Sequence, residues 1–533
     1  MIIRRQQFFL IGLLIIYALM LTYKINEPLT RRYEAYSFSY SVAAQNWLIH
    51  GPIQLKFAMM TLVPNDFVEL SKEFFVNHPS LFIAPTAFIY WLFGIGEWQT
   101  RVAPIFFSLL SLILFWKLIA RVFKTPWLTI TSSFFYAFFP MSVFNGSLLT
   151  NDYLALFFIL ALFLAVITFE QERQKKYLFA IFVIIFLGGL SDWTFLFAAA
   201  GAWWYILLTK NYPQKKLLLP LIMGILAASL SLTLLQIWNI ANMNPLKYLT
   251  ALFWYRNVEV ATGLVTIRNF LVARLNYDLM GFSEIGLILA FVGAIFYLKT
   301  NKKDKAKILF LTLLASPGLL TYLVFYSHSH IHQFYGLYIM PAIALLAGYG
   351  MSRLRNRWHI GSVILLFTAS SLWYSFALLN HTDFSPDDFL LFKRVNAQMS
   401  TTPICDGGIL AQFDLKSGRG QGGFGVPCLD SFYFLLRRPQ SHQKNIQLFS
   451  IVQAFNTEGV WKDTRIISFS AALVMEIIKS IPPLKPKLKI MFANRDPRKD
   501  NANAEKNAQA FIDEYKLQSA DCSTNFCLYK KNL

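Results

Sequence analysis

The sequence has little charge for its length. Of 533 residues, 15% are charged and 56% are hydrophobic, whereas a soluble domain carries about 25% charged residues. This composition excludes an ordinary soluble enzyme, and the high hydrophobicity excludes a disordered chain. The apolar residues occur in long runs, which indicates an all-α polytopic membrane protein.

Acidic residues are especially scarce. The chain has 29 Asp and Glu against 49 Lys and Arg, a net charge of +20. In a soluble protein this excess would favour a nucleic-acid partner. In a membrane protein, basic residues instead collect in cytoplasmic loops. The excess therefore indicates how the chain is oriented in the membrane, and we expect no nucleic-acid partner.

Eleven spans are predicted from the apolar runs and the charges between them. The stretch 81–95 is short for a span, which needs about 20 residues, and we expect it to lie flat or dip into the membrane. Eighteen basic residues then face the cytoplasm against three acidic ones, Glu170, Glu172 and Asp304. The predicted spans lie near 8–23, 102–123, 126–144, 153–169, 177–190, 194–209, 217–238, 282–298, 308–326, 334–350 and 359–379.

The same topology puts the N-terminus in the cytoplasm and three segments outside. The first is the loop 24–101. Between residues 34 and 47, mostly aromatic residues recur at helical spacing on one face and polar residues lie on another, as in an amphipathic interfacial helix. The second is the loop 239–281. The third, 381–533, is less apolar and follows the membrane domain 1–380 as a predicted small extracytoplasmic α/β domain.

All four cysteines lie in that last region, at positions 405, 428, 522 and 527. An external location permits disulfides. The local pairing is Cys405–Cys428 with Cys522–Cys527, one of three possible connectivities. A zinc site is the alternative, although the spacings match no common zinc finger.

Candidate functional residues gather at the predicted external ends of the spans, where ionisable groups at membrane depth are usually functional. Glu34 and Asp152 are carboxylates on separate loops that could divide catalytic roles, or hold a divalent metal such as Mg or Mn. His78, His330 and His332 could contact a phosphate or a metal. Simple helix capping or dipole effects would equally explain the two acids and the polar residues beside them, Asn151 and Asp192.

Four segments, in order, resemble the protein O-mannosyltransferase-like membrane glycosyltransferases of glycosyltransferase family 39, in the GT-C superfamily. The resemblance covers roughly 30–350. Two positions depart from the family pattern: Tyr33 replaces the usual first-loop Asp, and Ser80 replaces a proline. The segments are His78-Pro79-Ser80-Leu81 with Trp91-Leu92-Phe93-Gly94, Glu97-Trp98 and Arg101; 149–158; Ser191-Asp192-Trp193; and 332–348.

This resemblance implies transfer of a sugar from a polyprenyl-phosphate carrier to a glycan, lipid or protein acceptor on the external side of the cell membrane. Glu34 and Asp152 then take catalytic positions, supported by Asn151 and Asp192. The donor phosphate would meet His78, Arg256, His330, His332 and Tyr335.

Two alternatives stay open from the sequence. One is a flippase or transporter of lipid-linked sugars, which would be expected to carry mid-span charges and internal repeats. The other is a polysaccharide polymerase or ligase.

Overall fold

The computed structural model describes most of the first 381 residues and five segments beyond them. Within 2–381 the exceptions are residues 28, 30, 32, 61–73, 76–77, 211, 213, 242–243 and 255–265; the later segments are 403–405, 447–452, 491–495, 517–522 and 526–531. The chain divides into two compact units, Met1–His381 and Thr382–Leu533.

Helices form nearly all of the first unit. They are α1 (Ile2–Leu21), α2 (Glu34–His50), α3 (Ala84–Phe93), α4 (Glu97–Phe123), α5 (Pro126–Phe138), α6 (Pro140–Asn145), α7 (Asn151–Glu172), α8 (Lys175–Gly189), α9 (Thr194–Leu208), α10 (Lys215–Ala241), α11 (Pro245–Trp254), α12 (Ile267–Phe282), α13 (Glu284–Asn301), α14 (Lys305–Val324), α15 (Tyr326–Ile331), α16 (Met340–Met351) and α17 (Arg357–Asn380). Two 3-10 helices, Leu81–Ile83 and Gln333–Tyr338, precede α3 and α16. Two short strands, β1 (Met59–Met60) and β2 (Phe74–Phe75), pair antiparallel in the first loop.

Six helices among the described residues are long and apolar enough to cross a membrane: α4, α7, α10, α13, α14 and α17. Other predicted spans correspond to shorter apolar helices, including α9 and α16. The predicted span 126–144 is divided between α5 and α6 before Pro140, because proline cannot donate its backbone N–H to a continuous helix. The fold is therefore that of a multi-pass membrane protein, and the count of eleven spans stays a prediction.

The stretch 81–95 folds as a 3-10 turn and the ten-residue helix α3. Ten helical residues extend about 15 Å, half of the roughly 30 Å hydrocarbon layer. Gly94, with a φ of 77°, ends the helix in a conformation that favours glycine. The length agrees with a segment that does not cross the membrane.

Helix α2 differs from the amphipathic helix expected on the membrane surface. Its apolar face is buried through Tyr40, Ala43 and Trp47, but so are the polar residues Glu34 and Gln45. The helix packs against α3 and β1. Its polar face is turned inward because Glu34 has a buried charged partner, described below.

Helix α7 forms much of the core, with most of its residues buried from Asp152 to Phe169. It packs against α4, α8 and α9. Elsewhere, α13 and α16 make a close contact through Gly293, where a Cβ atom would lie 1.8 Å from the carbonyl oxygen of Leu346. Only glycine permits that approach.

The second unit contains a five-stranded mixed sheet. Its strands are β3 (Pro403–Cys405), β4 (Gln447–Val452), β5 (Met491–Arg495), β6 (Leu517–Cys522) and β7 (Phe526–Lys531), in the order β3-β4-β5-β7-β6. The first three are parallel, and β7 is antiparallel to both β5 and β6. The α/β domain expected from the sequence also requires helices. Any helices of this unit would lie outside the described residues, so the α/β class stays a prediction.

The backbone register places Cys522 directly opposite Cys527 on β6 and β7. Cys405 ends β3, and Cys428 lies outside the described residues. The disulfide pairing predicted from the sequence stays a prediction.

Candidate functional site

Asp152 lies in the first turn of α7 and is 1% exposed. The apolar run that follows builds the helix, and an acid in its first turn interacts favourably with the helix dipole. Its Oδ1 accepts a 2.6 Å hydrogen bond from the Tyr338 hydroxyl. Its Oδ2 is buried and has no hydrogen-bond partner among the described residues. One oxygen of this carboxylate is therefore held while the other is available.

Asp192 lies in the turn between α8 and α9, and its carboxylate differs from that of Asp152 in its hydrogen bonds. Its Oδ1 lies 3.1 Å from Nδ1 of His78 and accepts a 2.6 Å hydrogen bond from Nδ2 of Asn151. Its Oδ2 accepts hydrogen bonds from the backbone N–H of Thr194 at 3.0 Å, from the Thr194 hydroxyl, and from Tyr338 at 3.3 Å. Both oxygens of this carboxylate are therefore engaged.

The environment of Asp192 favours its ionised form. Burial by itself would raise the pKa of this carboxyl, but the hydrogen bond and charge of His78, with the two hydrogen bonds from Thr194, hold the pKa below its usual value. Asp192 is thus a stable negative charge facing the imidazole of His78. An ionised partner at Nδ1 fixes the ring orientation and directs Nε2 away from Asp192.

We call these five residues the acidic cluster: His78, Asn151, Asp152, Asp192 and Tyr338. Four of them were candidates from the sequence, and the structure brings all four together. Tyr338 was missed as a site residue. It lies within the fourth family-like segment, but a tyrosine six residues after a histidine carries no chemical signal by itself.

Glu34 is fully buried, and both of its oxygens are engaged. Its Oε1 accepts hydrogen bonds from Nη2 and Nε of Arg101, at 2.6 and 3.1 Å. Its Oε2 accepts a 2.8 Å hydrogen bond from the backbone N–H of Arg31. Arg101 also donates to the carbonyl oxygens of Ile25 and Glu27. This ion pair joins the first loop to α4, and no hydrogen bond links Glu34 to the described residues of the acidic cluster.

The histidines lie on the short helix α15 and the turn after it. The rings of His328 and His332 are 5.4 Å apart, and His332 stacks on Phe334 with centroids 4.8 Å apart. Tyr335 lies beside this stack, with its ring centroid 6.1 Å from that of His332. Burial lowers the pKa of His330, which favours its neutral form. Arg256 lies outside the described residues.

Arg274 of α12 supports this histidine segment. It is 4% exposed, and its Nη1 donates 3.0 Å hydrogen bonds to the carbonyl oxygens of Ser329 and His332. Its Nη2 donates to Asp278 and Tyr322 at 2.8 Å. Arg274 therefore fixes the backbone of the segment.

The 3-10 helix Gln333–Tyr338 connects the histidine segment to the acidic cluster. At its start, the backbone N–H of Gln333 donates to the Tyr33 hydroxyl at 3.3 Å. At its end, Tyr338 binds Asp152. Six residues of 3-10 helix extend about 10 Å, so the two groups lie within the reach of one small substrate.

Gln333 is a second residue that the sequence reasoning passed over. Its side chain is fully buried, and neither its amide nitrogen nor its amide oxygen has a hydrogen-bond partner in the described part of the chain. A buried unpaired amide costs about 1–3 kcal/mol. Such a group, at the histidine end of the 3-10 helix, is suited to bind hydroxyl groups of a ligand.

The described residues offer few oxygen ligands for the divalent metal considered from the sequence, and metal binding stays a prediction. Asp192 and Glu34 use both carboxylate oxygens in hydrogen bonds, which leaves one oxygen of Asp152. Within the described ranges, no group of three or more His, Cys, Asp or Glu is arranged to hold a metal ion. Mg and Mn prefer about six oxygen ligands.

Comparisons with known proteins bear on the first unit and on the whole fold. Residues 77–238 match the family model described as dolichyl-phosphate-mannose-protein mannosyltransferase. The fold is similar to that of ArnT from Cupriavidus metallidurans, with a TM-score of 0.56 for its apo state and 0.57 for its complex with undecaprenyl phosphate. Each of these matches is 14% identical and covers 98% of this chain and 97% of that chain. The chain therefore shares the fold of this ArnT.

Other matches are weaker. The apo oligosaccharyltransferase of Archaeoglobus fulgidus is 11% identical, with a TM-score of 0.47 over 91% of this chain and 69% of that chain. A search of curated proteins finds no match. The resemblance to family 39 GT-C glycosyltransferases is confirmed, and the matched segment 77–238 contains His78, Asn151, Asp152 and Asp192.

Proposed function

We propose that the protein transfers a sugar from a polyprenyl-phosphate carrier to an acceptor hydroxyl at the membrane face where the acidic cluster lies. The unequal use of two neighbouring carboxylates is the observation that carries this proposal. Both oxygens of Asp192 are engaged and one of them holds His78, whereas one buried oxygen of Asp152 has no partner among the described residues. Two acids in different environments can take different roles in one reaction.

In this mechanism Asp152 is the general base. Its Oδ2 accepts the proton of the acceptor hydroxyl as that oxygen attacks C1 of the sugar. The bond from C1 to the phosphate oxygen breaks, and the carrier phosphate leaves with the bonding electrons. Attack in line inverts the anomeric centre. Tyr338 holds the other oxygen of Asp152, so the base points in one direction.

His78 is assigned to the phosphate. With Nδ1 directed at Asp192, its Nε2 faces away and can donate a hydrogen bond to a phosphate oxygen. As negative charge develops on the leaving phosphate, the Asp192 carboxylate keeps the His78 ring oriented towards it. His332 and Tyr335 are assigned to the same phosphate, and Arg256 remains a candidate for it. His330 is a weaker candidate because burial favours its neutral form.

Glu34 receives a structural part in this proposal. A carboxylate that is fully buried against Arg101 cannot accept a proton from a substrate without breaking that ion pair. The catalytic role predicted from the sequence is therefore placed on Asp152. No step is assigned to a divalent metal.

The lipid carrier is supported by similarity. ArnT of Cupriavidus metallidurans, which shares the fold, has been crystallised with undecaprenyl phosphate. From the charge asymmetry of the loops we infer that the acidic cluster faces the extracytoplasmic side.

The purified full-length protein, incubated with a panel of polyprenyl-phosphate sugars and a crude envelope acceptor fraction, tests the proposal. We expect one donor to be consumed, with release of polyprenyl phosphate and appearance of the sugar on the acceptor. If the folded protein instead moves an intact lipid-linked sugar across vesicles and releases no polyprenyl phosphate, it is a flippase and the proposal fails.

A further inference from the structure

A groove lies on the first unit at the opposite end of α4 and α7 from the acidic cluster. Its cavity volume is about 650 Å³, and its walls come from α4, α7 and α8. Arg101 and Asp152 mark the other ends of α4 and α7. The groove begins 13 residues beyond Arg101 on α4, which corresponds to about 20 Å along the helix. This groove is therefore separate from the proposed active site.

Helical spacing builds the groove from one face of each helix. Leu114, Lys117 and Arg121 follow each other on α4, while Ala161 and Ala165 face them from α7. Residues three or four apart share a helix face. The two alanines leave the room that larger side chains would fill, and Tyr177 at the start of α8 borders the same groove.

The groove is apolar along most of its length and basic towards one end. Arg121 is neutralised there, because both of its terminal nitrogens lie 2.7 Å from Oε1 of Glu172. Tyr177 donates to the other oxygen of Glu172. Lys117 is exposed and has no ion pair with the described residues. The one uncompensated charge in the groove is thus that of Lys117.

The depth of Lys117 suits a lipid headgroup. Helix α4 has 27 residues, or about 40 Å, some 10 Å more than the hydrocarbon layer. Lys117 lies six residues before the end of the helix, or about 9 Å along it. Its ammonium can therefore reach the headgroup region while its methylene groups stay against the apolar wall. A charge at this depth is usually paired.

We propose that this groove is a binding site for an anionic phospholipid. The phosphate group pairs with Lys117, and an acyl chain lies along Leu114 and the two alanines. Charge complementarity selects the anionic headgroup, and the apolar length of the groove selects a chain. This site has no part in the proposed transfer reaction.

Native mass spectrometry of the purified full chain tests this site. Wild-type protein is loaded with phosphatidylglycerol or phosphatidylcholine of identical acyl chains, and the retained lipid is counted. We expect wild type to retain the anionic lipid preferentially and Lys117→Gln to reduce that retention about tenfold. Lys124→Gln is the matched control, because Lys124 follows the same helix but does not line the groove, and it should retain lipid as wild type does.

A second variant, Ala165→Leu, fills the groove without changing its charge. We expect it to lower retention of the anionic lipid while the protein keeps its unfolding temperature in lipid-free detergent. Equal retention of the two lipids by wild type, or unchanged retention by Lys117→Gln, would overturn the proposal. Stronger, Lys117-dependent retention of undecaprenyl phosphate would assign the groove to the carrier lipid and would also overturn it. Asp152→Asn should bind the phospholipid normally, which separates this test from that of the proposed function.

Discussion

Two buried carboxylates near the starts of helices, Glu34 on α2 and Asp152 on α7, differ in their partners. Glu34 meets two buried arginines, Arg101 and Arg31, and its two oxygens accept three hydrogen bonds. Asp152 meets a tyrosine hydroxyl and a second carboxylate, and one of its oxygens has no partner among the described residues. Both carboxylates are therefore buried. They differ in their hydrogen-bond partners, and this difference distinguishes a structural acid, Glu34, from a candidate catalytic base, Asp152.

The same contrast recurs inside the acidic cluster. Both oxygens of Asp192 accept hydrogen bonds, so this carboxylate is suited to hold other groups in place. The Oδ2 atom of Asp152 can still accept a proton from a substrate. A catalytic group needs neighbouring residues that hold it in a fixed geometry. In this site the fully hydrogen-bonded carboxylate of Asp192 can provide such support, and Asp152 can be the group that reacts.

The largest expected effect tests the role of Asp152. Asp152→Asn keeps the size of the side chain but removes its ability to take a proton. We expect sugar transfer to fall by about 10²–10⁴-fold, the usual contribution of a general base. The unfolding temperature should stay close to that of wild type. Asp304→Asn, an acid in the loop between α13 and α14, is the control; transfer by Asp152→Asn within threefold of wild type would contradict the assignment.

The second prediction tests the role of Glu34. Glu34→Gln leaves Arg101 buried without its counter-charge, and breaking a buried pair in this way costs about 3–5 kcal/mol. We expect a lower unfolding temperature and less folded protein, with transfer per folded molecule nearly unchanged. Replacing both partners, as Glu34→Gln with Arg101→Met, should recover part of the stability. A stable Glu34→Gln protein without activity would return the catalytic role to Glu34.

The third and smallest effect concerns Asp192. Asp192→Asn weakens the contact with His78, and a hydrogen bond to a charged group is worth about 1.5–3 kcal/mol, or roughly tenfold to 150-fold in rate. The loss should appear in transfer per folded molecule, because the His78 ring loses the carboxylate that orients it. Transfer by Asp192→Asn within threefold of wild type would contradict this role.

Stability provides a separate check on Asp192. Because the pKa of Asp192 lies below its usual value of about 3.9, its ionised form adds stability above that pH. This stability is lost as the pH falls through the lowered pKa. The difference in unfolding temperature between wild type and Asp192→Asn should therefore shrink below about pH 4.

The described spans and most members of the acidic cluster could be predicted because they depend on local pattern. An apolar run such as that of α7 makes a helix wherever it lies, and the loop charges order such helices across a membrane. Asn151, Asp152 and Asp192 follow from this order, since each lies at a helix start or in a turn. The burial of the polar face of α2 could not be predicted, because its partner Arg101 belongs to a different helix.

The sequence by itself determined a multi-pass helical protein whose candidate acids and histidines lie at the ends of its helices. Tertiary structure decided which acid keeps an oxygen without a partner in the described part of the chain. Arg101 is 67 residues from Glu34, and Tyr338 is 186 residues from Asp152. Hydropathy and charge act through local composition, whereas the pairing of a buried carboxylate depends on which distant donors the packing brings within about 3 Å.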